Sequence, residues 1–334
     1  MLLSTPLRPI RALLRATISA LALSSACLAQ GAHGPGSSGP PSEEVVRVRA
    51  AIAAMGKTWN AQVLAETTRL YTQLQRERPT AGITQMKNLS YGREAQHKLD
   101  LYFPDQGFEQ LGPVFIFLHG GADTGGDKVL PGTDDLVYSN VARLAARVGG
   151  VGINANYRQM AGSRWPAGAQ DVRALIAWTR EHVAEHGGDP ASILIFANGE
   201  GALHVATYLF DQNLQPVGGP GIAGAILASA TLAPDMSSKV ARRYFGKDAK
   251  HLPLALVDSY QGKAVPMMLW SADLDPVESG MTELKEKLCR KAETCPTYVR
   301  LEGHNHVSHV MSLDSADLST MNSLFRFYHS AVRK

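Results

Sequence analysis

The stretch Ile193-Leu194-Ile195-Phe196-Ala197-Asn198-Gly199-Glu200-Gly201-Ala202-Leu203-His204-Val205-Ala206 restricts the folds open to this chain more than any other. Its apolar, β-branched start reads as a short buried strand. The run breaks at Ala197-Asn198-Gly199-Glu200-Gly201, and an Ala-containing apolar segment with helical spacing follows. Strand, sharp turn and helix form the setting of a nucleophile elbow, whose pattern is G-x-S-x-G. The small flanking residues are present as Ala197 and Gly201, while the nucleophile slot holds Gly199.

Glycine carries no side chain and cannot attack a carbonyl. A residue at such a turn sits at sparsely populated dihedrals that cost roughly 1–3 kcal/mol, and glycine takes them with little steric cost. A serine-to-glycine exchange, which one base change achieves, therefore removes the chemistry and eases the fold. The competing reading is that Asn198-Gly199 is only a turn dipeptide.

Around this stretch, strand and helix patterns alternate. Ser42 to about Arg78 reads as helical, with Ser42 as N-cap ahead of Glu43 and Glu44. Val45, Val48, Ile52 and Met55 form one apolar stripe, and Val63, Thr67, Leu70 and Leu74 continue a second segment. Residues 42–80 are read as an N-terminal helical cap and 81–334 as the main domain. Strands are expected at Lys98–Phe103 (an outer strand), Val114–Leu118, Val151–Tyr157, Ile193–Phe196, Gly221–Ser229, Val265–Trp270 and Thr297–Leu301. Helices are expected at Tyr138–Val148, Ala167–His186 and Leu313–Val332. This alternation predicts an α/β fold, a mostly parallel twisted sheet with helices on both faces. Residues about 231–264, with Met236, Tyr244, Phe245 and Tyr260, read as a cap over the cleft, its apolar residues serving as cap core or substrate contacts.

The amino terminus carries Arg8, Arg11 and Arg15, an apolar run from Ala16 to Leu23, and then small residues. Residues 1–29 therefore read as an export signal, and 30–41, rich in Gly, Pro and Ser, as a disordered linker. Cys27 raises a lipoprotein alternative, against which Ser24 stands where a Leu is usual. The apolar run is too short for a comfortable transmembrane helix, so no integral membrane span is expected. The formal charge is +3, and without those three arginines 30 basic residues face 30 acidic ones. No basic field for nucleic acid or anionic membrane is implied. Cys289 and Cys295 remain as the last two cysteines, paired in an exported protein or free thiols near a helix end.

Acyl transfer needs a nucleophile, a base, an orienting acid and amide donors for the oxyanion. His119-Gly120-Gly121-Ala122 follows a strand, and the N–H groups of Gly121, Ala122 and Glu200 are the candidate donors; the alternative is a glycine loop needed only for packing. Asp275, after the Val265–Trp270 strand, is the candidate acid, with Asp273 as runner-up. His306 is the candidate base. His304, His306 and His309 also suggest a metal, but no carboxylate or cysteine cluster adjoins them. No metal and no cofactor are implied.

The segments HGGADTGGDK (119–128), NYRQ (156–159), RWPAGAQDV (164–172), HGGDPASI (186–193), SADLDPVE (271–278) and GHNHVS (303–308) together resemble the secreted α/β-hydrolase esterases related to hormone-sensitive-lipase-like and feruloyl-esterase-like enzymes. The resemblance covers about Met86 to Lys334. It implies Asp275 and His306 as triad members, Gly121, Ala122 and Glu200 as oxyanion donors, and Gly199 where the family carries its serine. It also implies carboxylic esters of modest size as ligands. Ala122 replaces a common third glycine, a mild change because only its N–H is needed.

The resulting expectation is a carboxylesterase-type protein impaired by Gly199 that keeps a cleft for a small-molecule ester or carboxylic acid. The alternatives are a weak hydrolase using water, an inactivated variant of a serine esterase, and a partner-binding module built on the N-terminal helices. Oligomeric state is left open by the sequence.

Overall fold

Within the run from Ile193 to Ala197, successive side chains enter opposite faces of one sheet, and both faces are buried. Ile193, Ile195 and Ala197 join one apolar cluster, and Leu194 and Phe196 the other. That is the pattern of a central strand covered on both sides. The computed structural model describes residues 40–121, 126–247, 249–261, 265–291 and 295–332. The expected export signal and nearly all of the linker lie outside the described residues.

Among the described residues eight strands form one sheet. They are β1 (Ile83–Ser90), β2 (Lys98–Pro104), β3 (Gly112–Leu118), β4 (Val151–Ala155), β5 (Gly188–Asn198), β6 (Gly224–Ala228), β7 (Met267–Ala272) and β8 (Thr297–Leu301). Their order is β1-β2-β4-β3-β5-β6-β7-β8. The β1/β2 and β2/β4 pairs are antiparallel and the rest parallel. Val114 pairs with Ile193 and Leu118 with Ala197, so β3 and β5 end side by side.

The helices are α1 (Glu43–Ala54), α2 (Ala61–Arg76), α3 (Ser139–Arg147), α4 (Ala167–His182), α5 (Gly199–Phe210), α6 (Lys239–Phe245), α7 (Pro253–Ser259), α8 (Glu278–Arg290), α9 (Ser308–Met311) and α10 (Met321–Val332). The first two, α3 and α10 cover one face, with Val48, Ile52, Leu74, Val141 and Leu324 in one cluster. On the other face lie α4, α5, α7 and α8, with Val172, Leu175, Val205, Val257 and Leu284. From β3 the chain passes under one face to β4 and returns over the other to β5. The ends of β3 and β5 thus flank a topological switch point, where open α/β sheets bind ligands.

Several expectations change in detail. Lys98–Phe103 is not an outer strand: Leu99, Asp100, Leu101 and Tyr102 are buried, because β1 pairs outside it. No strand was expected at 83–90, whose polar, exposed sequence is that of an edge. The Ala167 helix ends at His182 and tightens into a 3-10 turn to His186. The closing helix starts at Met321, not Leu313. Residues 303–320 instead form a buried polar loop around α9, in which Asn305, Ser308, His309, Ser312 and Thr320 are fully enclosed.

The N-terminal helices belong to the same compact unit as the sheet. Ser42 caps α1 by accepting from Val45 N–H, and Asn60 caps α2 by accepting from Val63 N–H. Their apolar stripes face the sheet, and α2 grips the 303–320 loop through polar side chains. Tyr71 Oη donates to Asp317 at 2.9 Å, and Asn305 Nδ2 donates to Thr67 Oγ1 at 2.8 Å. Gln75 Nε2 donates to the carbonyls of Met311 and Leu313, each at 2.8 Å, and its Oε1 accepts from Arg143 at 2.7 Å. Gln75→Ala leaves two buried carbonyls and a guanidinium short of partners. It is expected to lower unfolding stability by about 2–3 kcal/mol, read as a shifted urea midpoint; an unchanged midpoint would refute this role for α2.

Candidate active site

The site begins where β5 turns into α5. Asn198 is extended, at φ −119° and ψ 144°, and Gly199 is left-handed, at φ +54°. L-residues with a Cβ take that angle at a cost. Gly201 answers a second demand, close approach: a Cβ there would lie 2.6 Å from the carbonyl oxygens of Leu118 and His119. Its N–H donates to His119 O at 3.2 Å, docking the start of α5 against the end of β3.

Asn198 does not cap the helix with its side chain. Its Nδ2 donates to Ala228 O at 3.2 Å and to His306 O at 3.0 Å. One amide thus holds the ends of β5 and β6 and the histidine loop together. The sequence reading missed this clamp, for which the only signal was a polar residue ending an apolar strand.

His306 Nδ1 lies 3.1 Å from each carboxylate oxygen of Asp275. Asp275 follows β7 in a turn, where Val277 N–H donates to its Oδ1 at 3.1 Å. Burial pushes the Asp275 carboxyl up. The His306 charge and hydrogen bond, with those from Ser229 and the Val277 N–H, outweigh it and hold the group below the usual carboxylate range. Nδ1–H therefore donates to Asp275, and Nε2 offers its lone pair elsewhere. A Cβ built on Gly199 would lie 3.1 Å from Nε2 and 3.4 Å from Gly120 Cα. The ring's far edge points at the space a side chain of Gly199 would fill. Among the described residues no hydroxyl bonds Nε2. Ser229 Oγ lies 3.4 Å from His309, Ser308 Oγ 3.0 Å from His304 Nδ1, and Ser271 Oγ is buried without a partner.

Asp273 takes a different part. Its Oδ1 accepts from the N–H groups of Gly303 and His304, which shapes the loop rather than touching His306. His304 is held between Ser308 Oγ and Ser319 Oγ, and His309 Nδ1 bonds Asn305 O at 2.9 Å. Among the described residues no cluster of His, Cys, Asp and Glu could hold a metal.

Gly121 ends the described part of the loop after β3, and Ala122 lies outside the described residues. The loop is pinned through His119, whose Nε2 lies 2.9 Å from Asn156 Oδ1 and whose carbonyl accepts from Tyr157 Oη at 2.6 Å. Burial pushes the His119 imidazole below its usual range. The Glu200 N–H lies in the first turn of α5, where no intrahelical partner exists. The Glu200 carboxylate is buried, accepting from Met160 N–H at 2.5 Å and facing His204 Nε2 at 3.2 Å, while Oε2 has no partner.

A cleft of about 350 Å³ opens over these groups, walled by Trp59, Leu64, Leu130, Tyr138, Val277 and Val307. The Trp59 ring packs on His306, with centroids 4.6 Å apart. A groove of similar size on the outer side of α2 carries none of this chemistry. Of the expected cap, Tyr244 and Phe245 pack with Met160 and Leu203, and Tyr260 joins the main core. They are packing residues; Val240 and Ala241 instead line a smaller pocket of about 100 Å³ beside Glu200. No described helix is long and apolar enough to cross a membrane. Cys289 and Cys295 are brought together at the end of α8, with Cα atoms 4.0 Å apart.

Residues 99–213 match a family model described as BD-FAE. The chain is 32% identical to Esterase LipQ of Mycobacterium tuberculosis over 152 residues, covering 45% of this chain and 34% of LipQ. It is 34% identical over 117 residues to the probable carboxylic ester hydrolase LipM of the same organism, covering 34% of this chain and 26% of LipM. These matches span about a third or less of the relatives' length. Among solved structures, the phosphonate-inhibited Esterase B of Lactobacillus rhamnosis gives a TM-score of 0.65 at 17% identity, covering 86% of this chain and 96% of that one. The fold is that of the α/β-hydrolase esterases.

The histidine loop is expected to make the protein acid-sensitive. Burial pushes His304 down to about 4 and His309 down to about 3. Both are neutral when folded and free to protonate when unfolded, near 6.5. The unfolded state thus binds more protons below that value, and stability falls as pH drops from about 6.5 to 4. Each histidine gives at most about 1.4 kcal/mol per pH unit. Urea midpoints measured from pH 7.5 to 4.5 are expected to decline steeply below 6.5; a flat profile contradicts this reading of the loop.

Proposed function

We propose that this protein is a carboxylic-ester hydrolase by descent that has lost efficient turnover and keeps a cleft for an ester or a carboxylic acid. The direction of the absent Gly199 side chain carries this reading. A Cβ there would lie 3.1 Å from His306 Nε2, on a turn that already has the backbone a nucleophile requires. Asp275 fixes the tautomer of His306, and the ring presents a basic nitrogen to the point from which a hydroxyl would attack. The Gly121, Ala122 and Glu200 N–H groups are assigned to the oxyanion. What is missing is the oxygen that would form the acyl-enzyme.

A second reading has water in the emptied slot, deprotonated by His306. Proteases stripped of triad members retain roughly 10³–10⁴-fold catalysis over water from the oxyanion hole and binding alone, so slow hydrolysis of an activated ester is compatible with this site. The nearness of Cys289 and Cys295, together with the amino-terminal signal pattern, supports export and a disulfide in the mature protein.

A fluorophosphonate probe is expected to leave the purified protein unlabelled; stoichiometric labelling of any residue would mean that another nucleophile serves the cleft. Gly199→Ser is expected to raise hydrolysis of a short p-nitrophenyl ester by on the order of 10³-fold or more, once His306 backs away by a few tenths of an ångström. At φ +54° it is also expected to cost about 1–3 kcal/mol of stability. A folded but inactive Gly199→Ser protein would show that the rest of the site has decayed.

A further inference from the structure

Removal of a serine side chain takes away a nucleophile, and it also changes which ligand the site can hold. In a serine esterase, the nucleophile's hydroxyl occupies the point facing the histidine. Here only a hydrogen of Gly199 points there, and the nearest framing atoms are His306 Nε2 and Gly120 Cα. The His306 side chain is 10% exposed, and among the described residues nothing hydrogen-bonds its Nε2. Gly121 and Glu200 line the same cleft, and Glu200 lies in the first turn of a 12-residue helix whose positive end, with its unpaired amide N–H groups, favours anions.

An ester cannot use all of these groups. Its carbonyl oxygen accepts from the amides, but its alkoxy oxygen is a weak, uncharged acceptor and takes only a weak hydrogen bond from a protonated imidazole. A carboxylate has two equivalent oxygens and a full negative charge. One oxygen fits the amides and the other the emptied position, where it accepts from Nε2–H. Asp275, buried and ionised behind Nδ1, stabilises the imidazolium that this contact needs. The result is a row of alternating charges: Asp275, His306 and ligand. The other nearby carboxylate, Glu200, is engaged by Met160 N–H and His204.

We propose that the exchange to Gly199 converts an ester-cleaving site into a receptor for an apolar monocarboxylic acid, with the carboxylate bridging the amide N–H groups and His306 Nε2–H. The tail lies against Trp59, Leu64, Tyr138 and Val307. A cleft of about 350 Å³ is at the small end for ligand sites and selects a short or single-ring tail. This deepens the reading of the cleft as an ester- or acid-binding site and rests on it.

Calorimetric titration of the full chain with benzoate, benzamide and methyl benzoate tests the proposal, with butyrate and butyramide as a second pair. Each carboxylate is expected to bind at least tenfold more tightly than its amide or ester. His306→Gln is expected to erase that preference, lowering carboxylate affinity tenfold or more and changing amide affinity less than threefold. Gly199→Ala places a methyl in the slot without a hydroxyl and is expected to weaken the carboxylates by a similar factor. If the amides and esters bind as well as the acids, or the acid preference survives His306→Gln in a folded protein, the carboxylate proposal is overturned while the ligand cleft stands. Failure of every probe to bind the unaltered protein overturns both.

Discussion

The left-handed turn at Gly199 is the constraint from which the site's geometry follows. A strand buried on both faces has to become a helix within one residue. Only a positive φ lets α5 leave the sheet at the angle that lays Gly201 against the carbonyls of Leu118 and His119. The Asn198 amide fastens this corner to β6 and to the backbone of His306, so nucleophile slot and imidazole share one rigid reference. A loosely held histidine would not keep Nε2 aimed at the slot, and two hydrogen bonds from one side chain are what prevent that drift.

The histidine itself rides on a segment with little regular structure. Residues 303–320 are buried and polar, and their order comes from outside: Asp273 shapes the start, α2 supplies Thr67, Tyr71 and Gln75, and Arg143 with Arg147 holds Asp314. Buried polar networks of this kind are costly when half-satisfied and rigid when complete. This one is close to complete, which makes the N-terminal helices part of the site's foundation.

How far this was legible in the sequence follows from the range of the forces involved. β3, β5, β6 and β7 were readable because strands buried on both faces are apolar throughout, and the order elbow, Asp275, His306 followed from chain position. β1 escaped because an edge strand is polar and exposed on its outer side, so Ile83–Ser90 looks like a loop. The 303–320 loop escaped because many of its buried residues are polar, among them Asn305, Ser308, His309, Ser312 and Thr320, and it is held partly by α2 some 240 positions away. Leu313 looked like the start of the closing helix because apolar spacing cannot distinguish a helix from a loop clamped by distant amides, whereas that helix begins at Met321. Trp59 is not singled out by the sequence: it lies in the connection between α1 and α2, and its seat on the His306 ring depends on how those helices dock.

Trp59 and Leu64 come from the beginning of the folded unit, and His306 and Val307 from near its end, yet they face each other across one small cleft. Whatever occupies that cleft touches an early and a late segment of the folded unit at once. Occupancy would therefore tie together segments that separate when the protein opens, so a filled site is expected to slow proteolysis at the amino-terminal helices as well as at the loop.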